Sequence, residues 1–77
     1  MANLVYGPYL FTFDTDTTKQ RTLAICSHPW RVETRHFSRL IEDTSARQKV
    51  LCDDLKSAES QFMAICSNMV ATEGWTE

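Results

Sequence analysis

Between Ser45 and Thr72 the apolar positions Leu51, Leu55, Ala58, Phe62, Ile65 and Met69 recur in alternating steps of four and three. That is the spacing of one face of an α-helix. Polar side chains, among them Lys49, Asp53, Asp54, Lys56, Glu59, Gln61 and Asn68, fill the intervening positions. No Pro or Gly interrupts the run before Gly74, a residue suited to ending a helix. At the other end Ser45 stands three residues before Gln48, the form of a capping box. The pattern predicts one long amphipathic helix over 45–72. The same steps run backward through Gln48, Thr44, Ile41 and Phe37, which predicts a short helical segment at about 37–43 and a break near Thr44.

Ahead of the helix the period changes to two. Tyr9, Phe11 and Phe13 alternate with Leu10 and Thr12, as on one face of a strand that follows a Gly7-Pro8 turn. The polar stretch Asp14 to Gln20 reads as an irregular connection, longer than a two-residue hairpin loop. A second strand fits Arg21 to Cys26, with Leu23 and Ile25 inward, and Ser27-His28-Pro29 forms a turn. The third strand, Trp30 to Thr34, sets Trp30, Val32 and Thr34 on one face and Arg31, Glu33 and Arg35 on the other. That alternation belongs to a sheet with one solvated side. Residues Glu73 to Glu77 read as a frayed terminus.

The order strand, strand, strand, helix predicts an α+β fold. It consists of a small antiparallel three-stranded sheet at about 8–35, followed by one long C-terminal helix, in a single domain spanning 1–77. A helix of about 26 residues is about 39 Å long, whereas strands of this size span only about 17–20 Å. The sheet would therefore leave the C-terminal half of the apolar stripe bare, and a bare stripe invites association. The expected occupant is the same helix of a second copy in a two-fold dimer, meeting through Phe62, Ile65, Met69 and Val70.

Composition narrows the chemistry. With 77 residues and 43% hydrophobic content, the chain can bury an ordered but thin core. It has no apolar run long enough for a membrane-spanning helix and no signal-peptide pattern at its start. Cys26, Cys52 and Cys66 are odd in number, and the last two would lie too far apart on one helix to bridge. Reduced thiols in the cytoplasm are the expectation. Cys26-x-His28 with His36 lacks the paired short spacings of a structural zinc site. Asp14-x-Asp16 lacks the Gly and Glu of a calcium loop. Two Gly in all leave no phosphate cradle. No cofactor, no metal and no enzymatic activity are expected.

Charge is unevenly spread. From Thr18 to Leu40, Lys19, Arg21, Arg31, Arg35 and Arg39 face Glu33 alone, while acids outnumber bases from Ile41 onward. The basic segment 19–39 also carries His28, Trp30, His36 and Phe37. One reading is a rim of arginines around aromatic anchors at a protein interface, with Trp30, Arg31, Arg35 and Arg39 meeting the partner. The second is a nucleic-acid surface that neutralises phosphates. A net charge of −2 opposes approach to a polyanion, which favours the first. The sequence therefore predicts a small intracellular protein-protein interaction module, a regulator, adaptor or inhibitor of a larger protein.

Overall fold

Six β-strands and one α-helix make up the computed structural model, which describes residues 3–77. Met1 and Ala2, part of the expected single domain, lie outside the described residues. The strands are β1 (Asn3–Phe13), β2 (Asp16–Ser27), β3 (Arg31–Ser38), β4 (Ile41–Glu42), β5 (Gln48–Leu51) and β6 (Trp75–Thr76). The helix, α1, is Leu55–Thr72. All pairings are antiparallel, in the order β4-β3-β2-β1-β6, with β5 also pairing β3. The α+β class stands, but the three-stranded sheet is corrected to six strands.

The corrections share one cause, which is unpaired backbone. The edge of β3 offers free N–H and C=O groups, and Gln48–Leu51 fills them as β5, with Val50 opposite Val32 and Leu51 opposite Arg31. The Cys52 N–H continues the ladder to the Trp30 carbonyl at 2.9 Å. Strand pairing thus overrides the helical spacing read into Gln48 and Leu51. Ser45 is no helix cap. It sits in a 3₁₀ turn (Thr44–Ala46), where its N–H and hydroxyl donate to the Asp43 carboxylate at 3.1 and 2.6 Å. The true cap is Asp54, whose carboxylate accepts from the Ser57 N–H at 2.8 Å, as N-cap aspartates do. The predicted short helix at 37–43 is instead a hairpin. Arg39 and Leu40 take φ of 53° and 67° there, and β4 folds back on β3.

Three further boundaries move. Gly7-Pro8 bends β1 without ending it, and the pairing with β2 shifts register around this point. Asp14 and Thr15 alone connect β1 to β2, with Phe13 opposite Asp16. Past Gly74, at φ 80°, the chain does not fray. Trp75 and Thr76 pair with Phe13 and Thr12, and Asp14 accepts a hydrogen bond from the Thr76 hydroxyl.

The helix lies against β2 and β3 and reaches β6, giving two layers in a molecule 17 Å deep along its shortest axis. Its inner face is Ala58, Phe62, Ile65 and Met69, at the expected spacing. Phe11, Leu23, Met69 and Trp75 form one buried cluster, and Ile25, Val32 and Ala58 form another. Phe62 and Ile65 touch both and join them. Each fully buried large side chain contributes about 1.5–3 kcal/mol. Ala58, wholly buried between Ile25 and Val32, keeps the helix close to the sheet. Among the described residues no helix is long and apolar enough to cross a membrane.

Candidate binding surfaces

Because α1 covers one face of the sheet, the register assigns every strand residue to a covered or an open side. Ile25 and Val32 are opposite each other and buried under the helix. Their neighbours therefore face away, in the cross-strand pairs Cys26/Arg31, Ala24/Glu33, Thr22/Arg35 and Gln20/Phe37. Leu4 and Leu10 extend this face on β1, opposite Cys26 and Thr22. Lys49 and Leu51 extend it on β5, opposite Glu33 and Arg31. A shallow depression of about 290 Å³ lies here, between Leu4, Pro8, Cys26 and Phe37.

The open face carries its cations on β3 and β5, with exposed leucines on β1 and at the end of β5. Arg31 donates from Nε to Glu33 at 2.6 Å and from Nη1 to the Pro29 carbonyl at 2.8 Å, so its charge is used internally. Arg35 touches Glu33 more loosely, at 3.6 Å, and keeps 45% of its side chain exposed. One carboxylate thus serves two guanidinium groups, and Lys49 is exposed beside them. Farther along the edge Arg47 and Glu42 pair through two hydrogen bonds, at 2.5 and 3.0 Å. The bond from Arg47 holds the Glu42 carboxyl below its ordinary range. Leu4, Leu10 and Leu51 remain half or more exposed, so apolar surface flanks the cations.

Of the four residues expected at a partner surface, Arg31 and Arg35 share this face, and Arg35 is the accessible one. Trp30 does not join them. It packs against the Ile25, Val32 and Ala58 cluster and stacks on His28 at 6.0 Å. Arg39 is exposed in the β3–β4 turn, where its N–H bonds the Thr18 carbonyl. The residues expected to mediate self-association are mostly spent within the chain. Met69 is fully buried, Phe62 and Ile65 pack on the core, and Val70 alone stays exposed. The premise of that expectation, a helix outrunning its sheet, does not survive the shorter α1.

Two recesses lie on the covered side. Between α1 and the N-terminal half of β1, Val5, Tyr6, Leu55, Phe62 and Met63 line an apolar cleft of about 460 Å³. Between α1 and the β3–β5 edge is a polar groove of about 660 Å³, bounded by Arg21, His36, Gln48, Val50, Ile65 and Asn68. Sequence reasoning missed this groove. Arg21 shares the inward period of Leu23 and Ile25, and a cation in an apolar alternation was the available signal.

Cys26, Cys52 and Cys66 are free thiols. Burial pushes the Cys26 thiol up, with a further push from Glu33, and burial likewise raises Cys66. Among the described residues no cluster of three or more His, Cys, Asp and Glu side chains could hold a metal ion. Comparison with protein-family models, with curated proteins and with solved structures finds no match for this chain.

Proposed function

We propose that this chain is a small, non-catalytic binding module whose open sheet face receives an acidic, partly apolar segment of a larger protein. In that role it serves as a regulator, adaptor or inhibitor. The observation that carries the reading is the excess of Arg35 and Lys49 over their carboxylate neighbours, beside the exposed Leu4, Leu10 and Leu51. Cations at the rim of an uncovered apolar strip are what an acidic amphipathic partner complements. Two copies meeting face to face would instead oppose like charges. Three free thiols fit a reducing, cytoplasmic setting. The same cations, with Phe37, would also suit a single-stranded nucleic acid, but the net charge of −2 disfavours it.

The test compares proteins captured from the native host by the parent chain, by R35E/K49E and by K56E, a charge change on the helix. A direct partner is then mapped by amide shifts. The expected result is a partner lost to R35E/K49E, retained by K56E, and shifting Thr22, Arg35 and Phe37. Capture indifferent to R35E/K49E overturns the proposal. So does tight binding of a single-stranded oligonucleotide with affinity that falls steeply with salt.

A further inference from the structure

Arg21 stands on β2 opposite His36 on β3, on the covered side of the sheet and so on the face away from the proposed partner surface. Its side chain is only 19% exposed, and its guanidinium lies over the Trp75 ring at 4.4 Å. Nε is buried and has no acceptor among the described residues. Among the described residues its one ion-pair partner is Glu73, which approaches Nη1 to 3.5 Å, an ion contact too long to count as a strong hydrogen bond. Guanidinium carries five N–H donors in a planar fork. Buried donors without acceptors are costly and uncommon, so this cation is held in place with its hydrogen-bonding capacity largely unspent.

The groove of about 660 Å³ opens beside it, within the size range of small-molecule sites. Gln48 and Val50 of β5 form one wall, and Ile65 and Asn68 of α1 form the other. Val50 is 39% exposed and offers an apolar contact. The two amides offer orienting hydrogen bonds. Charge sets the ligand class. Arg21 is the inward cation of the groove, its donors largely unspent beside a single contacting carboxylate, Glu73, which matches a singly charged anion. A dianion would be repelled by Glu73, and a planar carboxylate fits the guanidinium fork.

The geometry points to a binding site for a small organic monocarboxylate, with its carboxylate on Arg21 and its apolar body between Val50 and Ile65. The test titrates the ¹⁵N-labelled full chain with benzoate, with benzyl alcohol (the same ring without charge) and with inorganic phosphate. Benzoate is expected to shift the Arg21, His36, Val50, Ile65 and Asn68 amides saturably, with a Kd on the order of 1 mM. Arg21→Gln should weaken binding at least about tenfold, equivalent to about 1.4 kcal/mol, while Arg35→Gln leaves it unchanged. Should Arg21→Gln fail to fold, Val50→Asp on the exposed edge strand places a carboxylate in the groove and is expected to abolish the shifts. The inference is overturned by benzyl alcohol or phosphate binding as well as benzoate. It is equally overturned by benzoate shifts that do not saturate, or that survive Arg21→Gln or Val50→Asp.

Discussion

The guanidinium of Arg21 lies 4.4 Å above the ring of Trp75, so a cation on the second strand pins the residue that begins the sixth. Trp75 is also tilted against Phe13 at 5.0 Å and buried with Phe11, Leu23 and Met69. A two-residue strand owes its place to this anchor rather than to its few ladder bonds. Trp75→Ala should therefore destabilise the fold by about 3–5 kcal/mol, a large share of what a small domain has. Arg21→Met keeps most of the packing and loses the cation–ring attraction, about 0.5–2 kcal/mol, together with the long ion contact to Glu73. Urea unfolding midpoints measure both, and equal losses would contradict the assignment of Trp75 as the anchor.

Gly7 and Gly74 both adopt positive φ, at 90° and 80°, yet they differ in what surrounds them. A Cβ at Gly7 would sit 2.8 Å from the Leu23 carbonyl oxygen, which is backbone in the paired strand and cannot swing aside. A Cβ at Gly74 would meet the Phe13 ring at 3.6 Å, an ordinary contact. Both alanine substitutions incur left-handed strain of about 1–2 kcal/mol. Gly7→Ala adds a steric clash, so it should lower the thermal midpoint clearly more than Gly74→Ala. Equal midpoints would remove the clash from the argument.

The alternation of Trp30, Val32 and Thr34 with Arg31, Glu33 and Arg35 was enough to place β3 and to set Arg31 and Arg35 on one face, either side of Glu33. The spacing of Ala58, Phe62, Ile65 and Met69 was enough for the inner face of α1. Gln48–Leu51 was not legible, because four residues cover barely one helical turn, too few to tell a period of two from one of about 3.6. What decides it is the empty edge of β3, a tertiary fact. Asp53-Asp54 held the local clue, since an aspartate ahead of Leu55 is as good a cap as Ser45. The role of Arg21 was hidden for a similar reason. Its neighbours Glu73 and Trp75 come from the far end of the chain, from residues that composition alone assigns to a loose terminus.

Glu33 stands between Arg31 and Arg35, and its bond to Arg31 is short and largely shielded. The two side chains are 22% and 9% exposed. Glu33→Ala leaves the Arg31 guanidinium buried with only the Pro29 carbonyl, so about 1.5–3 kcal/mol of stability should be lost. Arg35→Ala, exposed and loosely paired, should lose no more than about 1 kcal/mol. Chemical denaturation of both variants separates the structural member of the trio from the one free to meet a partner.

Two carboxyls are held below their ordinary range, Glu42 chiefly by its hydrogen bond from Arg47 and Asp16 chiefly by the Thr18 hydroxyl. A depressed folded-state pKa contributes stability above the unfolded value, and that contribution is lost as pH falls through the folded one. Stability should therefore decline on acidification through and below the usual carboxylate range, with no counterpart near neutrality from these groups. Both lie at the surface and are only partly buried, so the effect is small. Unfolding midpoints measured from neutral to acid pH should fall less steeply in the Glu42→Gln, Asp16→Asn double variant. An acid limb identical to the parent's would assign the decline to other groups.

The three thiols provide a probe of which face is open. Cys26 is 5% exposed, and its pKa is raised by burial and by Glu33 against the pull of Arg31 and Arg35. Since the thiolate is the reactive form, both burial and the higher pKa slow it. Cys66 and Cys52 are both half-buried, Cys66 with its thiol raised by burial and Cys52 packed at the end of β5 against the Ile25, Val32 and Ala58 cluster. Labelling of the native chain with a disulfide reagent at neutral pH should therefore reach Cys52 and Cys66 before Cys26. The last should approach the rate of local opening rather than the reagent-limited rate. Cys26 points to the open face, so a partner seated there should slow it further and leave Cys66 unchanged. If Cys26 in the free chain labelled as fast as Cys52, the side chains of Leu4, Pro8 and Glu33 would not be covering it, and the open face would need to be redrawn.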